Sequence, residues 1–101
     1  MSRRGEPYDP AWLVALAREQ YPEEPEVAAA FEKCVWVYRE TELVVHFVDN
    51  RRPNQVGSSW QCDTNLTLED PVEGTLVVDW LKGGRVGGIE FLTRVLDAEY
   101  P

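Results

Sequence analysis

Residues 74–93 read GTLVVDWLKGGRVGGIEFLT, and their pattern decides the fold. Leu76 to Leu81 is rich in β-branched and aromatic residues, and so is Val86 to Leu92. Between them stands Lys82-Gly83-Gly84-Arg85. A Gly-Gly pair supplies the positive φ angles of a tight hairpin turn. With Gly83-Gly84 as the loop, Lys82 faces Arg85, Trp80 faces Gly87, Val78 faces Ile89 and Leu76 faces Phe91. Side chains alternate along a strand, so Leu76, Val78, Trp80, Gly87, Ile89 and Phe91 share one face. The other face then carries Val77, Asp79, Leu81, Val86, Glu90 and Leu92.

Working back towards the N-terminus, Trp60, Cys62, Thr64, Leu66 and Leu68 alternate with Gln61, Asp63, Asn65 and Thr67. That is the pattern of a half-buried antiparallel strand. Matching Leu68 with Leu76 keeps the apolar faces together and sets Asn65 beside Asp79. Asn50 to Ser59, NRRPNQVGSS, is a loop of turn formers, and Arg51 and Arg52 make it a positive spot on an acidic chain. Val35 to Arg39 and Leu43 to Asp49 form a second hairpin around Glu40-Thr41-Glu42. Leu43 to Val48 is apolar at every position but His46, which suggests a central strand.

The first third has helical spacing. Asp9-Pro10 is a helix start, because Asp accepts from free N–H groups and Pro is tolerated in the first turn. Trp12, Leu13, Leu16 and Ala17 follow on one face, and the helix stops before Pro22. Pro25 restarts the chain. Val27, Ala30, Phe31 and Cys34 then fall at i, i+3, i+4 and i+7. Residues 1–8 read as a loose tail, and Val95 and Leu96 as an irregular end or a short helical turn. The expected fold is α+β: one domain over residues 1–101, two N-terminal helices packed on one face of a roughly five-stranded antiparallel meander.

Composition narrows the function classes. The 101 residues are 44% apolar and 28% charged, which is ordinary for one globular domain. A net charge of −8 argues against general affinity for nucleic acid or an anionic membrane surface, and is compatible with a basic protein partner. Ser2-Arg3-Arg4-Gly5 is followed by Glu6-Pro7 and not by an apolar run, so no signal peptide is read and a cytoplasmic location is the expectation. The Asn65-Leu66-Thr67 acceptor triplet is discounted with it. No stretch approaches membrane-spanning length. The two cysteines, Cys34 and Cys62, sit far apart on apolar faces and read as unpaired buried thiols.

Catalytic chemistry finds little purchase. Cys34, His46 and Cys62 lack the close pairing of structural zinc ligands, so no metal and no cofactor is expected. The four glycines of the C-terminal hairpin precede no helix and no GK[ST], which excludes a phosphate loop. Asp79 and Glu90 could form an acidic pair of the kind general acid–base chemistry uses, but no nucleophile accompanies them. Val77, Leu81, Val86 and Leu92 put more apolar surface on that face than solvent requires. Either Val95 and Leu96 fold back over it, or it meets another chain, or these are scattered surface hydrophobes that need no explanation.

VVDWLKGGRVGGIEFL resembles the terminal hairpin of small uncharacterised bacterial proteins, in which a Leu-Val-Asp strand, a Gly turn and a Gly-Ile-Glu-Ile-Leu strand recur. That resemblance implies a β-rich packing module and brings no activity with it. The small acidic α+β build also resembles bacterial immunity proteins in size and charge. The expected role is a non-catalytic module that binds a protein partner or a second copy of itself, in the concrete form of an acidic inhibitor masking a basic site. One alternative is a small enzyme or ligand-binding protein with a Trp-lined pocket between helices and sheet, and another is a homodimeric structural protein.

Overall fold

The structure is a computed structural model, and it describes residues 5–39, 41–48 and 60–99. Along these the chain runs β1 (Gly5–Pro7), α1 (Ala11–Gln20), α2 (Pro25–Glu32), β2 (Trp36–Arg39), β3 (Val44–His46), β4 (Cys62–Asp70), β5 (Gly74–Leu81), β6 (Arg85–Phe91) and α3 (Leu92–Glu99). The fold is α+β, as expected, and the strands form one antiparallel sheet in the order β1-β2-β3-β6-β5-β4.

Both N-terminal helices start where the sequence places them. The Ala11 amide donates to the Asp9 carboxylate at 3.0 Å, and Leu13 and Val14 donate to the Pro10 carbonyl. Pro25 opens α2, where its missing N–H costs nothing. Leu13, Leu16 and Ala17 of α1 and Val27, Ala30 and Phe31 of α2 are buried against the sheet. Leu68, Leu76, Val78 and Ile89 meet them from the strands, all fully buried. Fully burying an aliphatic side chain stabilises by roughly 1.5–3 kcal/mol, so this layer holds the fold together.

Four expectations are corrected. Among the described residues the sheet has six strands, not five, because Gly5–Pro7 pairs with β2 where a loose tail was expected. Three residues without apolar period give no strand signal, and the pairing comes from β2. Gly5 is needed there: a Cβ on it would lie 1.6 Å from the Trp36 indole nitrogen.

The sheet is not a simple meander either. After β3 the chain crosses to the far edge, and the β4-β5-β6 hairpins return so that β6 pairs with β3. β6 is buried along most of its length, whereas Asp63, Thr64, Asn65, Thr67 and Glu69 of β4 are exposed. A strand buried on both sides belongs inside a sheet and a half-polar one at its edge. That edge is partly closed by α1. The Gln20 side-chain amide donates to the Glu69 carbonyl at 2.7 Å and accepts from its N–H at 2.8 Å, while the Tyr21 hydroxyl donates to the Thr67 carbonyl. The Gln20 amide thus stands where a neighbouring strand would bond, which blunts an otherwise open edge.

The third correction is one of register. Leu76 faces Phe91 and Val78 faces Ile89 as expected, but Trp80 faces Val86 and Leu81 faces Arg85. The turn is Lys82-Gly83-Gly84, closed by the Gly84 N–H on the Leu81 carbonyl, with Gly83 and Gly84 at φ 90° and 74°. Gly87 is therefore the extra residue of a β-bulge, and Val86 turns to the helix side. A second shift between Cys62 and Thr64 places another bulge on β4, on the other flank of β5. It sets Cys62 opposite Leu81, away from Leu66 and Leu68. Bulges add one residue to one strand and so swap the faces beyond them.

The last correction is the C-terminus. Leu92 does not continue β6 but begins α3, which packs against β5 and β6.

Candidate functional site

Among the described residues, two places that group polar side chains bear most on function. The first is a row across the outer face of the sheet, away from α1 and α2. Register carries it through every strand: Gly5, Tyr38, His46, Gly88, Asp79 and Asn65. Asn65 donates to the Asp79 carboxylate at 2.8 Å, the partner that the Leu68–Leu76 match anticipates. Gly88 has no side chain between Asp79 and His46, and a Cβ there would approach His46 Nδ1 to 3.1 Å. Half-burial pushes the Asp79 carboxyl above its ordinary value, while the Asn65 hydrogen bond and His46 pull it back.

Beside this row lies a small buried cluster distinct from the main core. Trp60 meets the His46 ring edge-on at 5.3 Å between centroids. Leu81 is fully buried, and both Leu81 and the Trp60 ring occupy the space above Gly87. This cluster answers for Leu81 among the residues expected on a contact face. Val86 lies on the opposite side, in the main core. Val77, Asp79, Glu90 and Leu92 are half-buried. Glu90 stands between Val77 and Val44, one row away from Asp79, so the two carboxylates are not opposed across strands as an acid–base pair. Arg51 and Arg52 lie outside the described residues. Cys34 is buried, and burial pushes its thiol up to about 12.

The second place is an open cleft of about 470 Å³ between α1 and the sheet, a size at which small-molecule sites occur. Tyr8, Trp12, Val45 and Phe91 form its apolar walls, and Arg39 and Arg94 enter it. The Trp12 indole N–H donates to the Tyr8 hydroxyl at 2.8 Å. Arg94 lies over the Phe91 ring at 4.2 Å, grips both oxygens of Glu73 and donates to the Glu42 carbonyl at 2.7 Å. Arg39 lies 5.7 Å over the Tyr8 ring, and its Nε donates to Glu6. Tyr8, Arg39 and Arg94 carry no local sequence signal for a site, since they come from a loop, a strand and a helix far apart in the chain. Among the described residues no group of three His, Cys, Asp or Glu side chains is placed to hold a metal ion. Among the described residues no helix is long and apolar enough to cross a membrane.

The chain matches no protein-family model, and no curated protein or solved structure is found similar to it.

Proposed function

We propose that this chain is a non-catalytic protein-binding module, an acidic inhibitor- or immunity-type protein that covers a basic site on its partner. The observation that carries the reading is Trp36. It lies over Gly5 at the outer edge of the sheet and remains 46% exposed, beside Val35 at 57%. An exposed Trp is a frequent energetic centre of protein contacts. Net charge of −8, with Glu19, Glu23, Glu24 and Glu26 exposed around the α1–α2 turn, supplies steering towards a basic surface.

The test is capture from the source organism's lysate by the wild-type chain and by Trp36→Ala, at low and high salt. A basic protein should be retained by the wild-type chain, less at high salt and at least about tenfold less by Trp36→Ala, as loss of a central anchor implies. Equal capture by the two chains would remove Trp36 as the anchor and overturn the reading. A second reading, a small ligand-binding protein, is favoured by the cleft beside Trp12.

A further inference from the structure

We propose that the cleft bounded by Tyr8, Trp12, Arg39 and Phe91 is a binding site for a small carboxylate carried on a flat apolar body. The site lies on the helix side of the sheet, so it is separate from the outer-face surface around Trp36.

The inference rests on which hydrogen-bonding groups are already spent. Trp12 and Tyr8 satisfy each other in one direction only: the Tyr8 oxygen accepts, and its own proton has no acceptor among the described residues. Burial raises the Tyr8 phenol above its ordinary value, with Trp12 and Arg39 opposing, so the hydroxyl keeps that proton at neutral pH. The Thr41 oxygen accepts from the Leu43 and Val44 amides, and its proton is likewise unspent. Arg39 uses Nε on Glu6, and its Nη groups have no partner among the described residues. Three unspent donors therefore line one cleft.

Acceptors are fewer. Both Glu73 oxygens are held by Arg94, and Glu42 turns its main-chain carbonyl to the same guanidinium. The exposed Glu42 carboxylate remains at the rim. A surplus of donors, one of them a guanidinium fork, matches an acceptor-only group, and a carboxylate fits the fork with two parallel bonds. The walls add the second half of the specification. Trp12, Tyr8, Phe91 and Val45 line the cleft with aromatic and aliphatic surface, with guanidinium groups already over the Tyr8 and Phe91 rings, and a planar apolar body can bury its surface there. Stacking on Tyr8 sets the Arg39 guanidinium at the edge of that surface, with its side chain about half exposed to incoming ligand.

Three probes of one shape and different charge test this: indole-3-acetate, indole-3-acetamide and tryptamine. Each is titrated into the full chain while the Trp12 Nε1–H and Arg39 Nε–H resonances are followed by NMR. The acetate should shift both and bind at least about tenfold tighter than the amide, the margin of a charge-assisted pair over a neutral one. Arg39→Gln should bring acetate and amide within about twofold of each other, with the spectrum away from the cleft unchanged. Glu6→Gln removes the carboxylate charge that competes for Arg39 and should tighten the acetate several-fold while leaving the amide alone, so the proposal stays testable if Arg39→Gln does not fold. Equal binding of acetate and amide, tighter binding of tryptamine, or no shift of either resonance at ~10 mM probe would each overturn it.

Discussion

On the helix side of β5, Leu76 and Val78 are fully buried among α1, α2, β4 and β6. On the other side of the same strand, Val77 and Asp79 are half-covered, and only Leu81 is sealed, by Trp60 over Gly87. The inner face is continuous and apolar. The outer face is a patchwork in which a dry cluster, a His–Asp row and a part-exposed valine alternate. The difference teaches where this chain can afford polar groups: the inner layer carries the stability, which leaves His46 and Asp79 to sit on a face that does less of that work.

The largest test of that contrast is a pair of truncations. Ile89→Ala, on the inner face opposite Val78, should cost about 2–5 kcal/mol in chemical denaturation. Val77→Ala, one residue over on the outer face, should cost under about 1 kcal/mol. Similar losses at the two positions would mean that the outer face is as well packed as the inner, and the contrast would fail.

A smaller effect probes the bulge that creates the outer cluster. A Cβ at Gly87 would stand 2.8 Å from both Leu81 Cδ2 and the Trp60 ring. Gly87→Ala should therefore destabilise by about 1–3 kcal/mol, the cost of overpacking, with a blue- or red-shift of Trp60 emission as its ring is displaced. No change in either stability or emission would show that Trp60 does not rest on Gly87.

The smallest effect is one of pH. The folded Asp79 carboxyl titrates above its ordinary value, so the native state holds that proton more tightly than the unfolded chain does. Stability linked to this group is present below the ordinary carboxylate value of 3.8 and is lost as pH rises through the raised folded value. Asp79→Asn removes that loss while leaving an amide beside Asn65. Subtracting variant from wild-type stability at each pH should give a difference that moves against the wild type as pH climbs through the carboxylate range. A difference that is flat, or that favours the wild type with rising pH, would show that Asp79 is not desolvated.

Much of the inner face could be read from the residues in order. The Leu68–Leu76 and Val78–Ile89 pairs and the two helix starts at Pro10 and Pro25 all rest on local chemistry: alternation, helical spacing and the absence of a proline N–H. The same pattern failed at Trp80, because a bulge leaves no mark in period-two alternation until the strand is paired. One residue too many on β6 sent Val86 inward and left Leu81 beneath Trp60.

Alternation, capping and turn chemistry act between residues close in the chain, so the sequence by itself determined the α+β class, both N-terminal helices and the two tight hairpins flanking β5. Strand order was decided only in the tertiary structure, where β6 took the buried place beside β3 and β4 the edge that Gln20 closes. The cleft was decided there too. Tyr8, Arg39 and Arg94 are separated by long stretches of chain, and nothing local fixes their distance. They meet because β1 pairs with β2 and α3 follows β6, and these are long-range contacts whose free energy appears only once the core beneath them has formed.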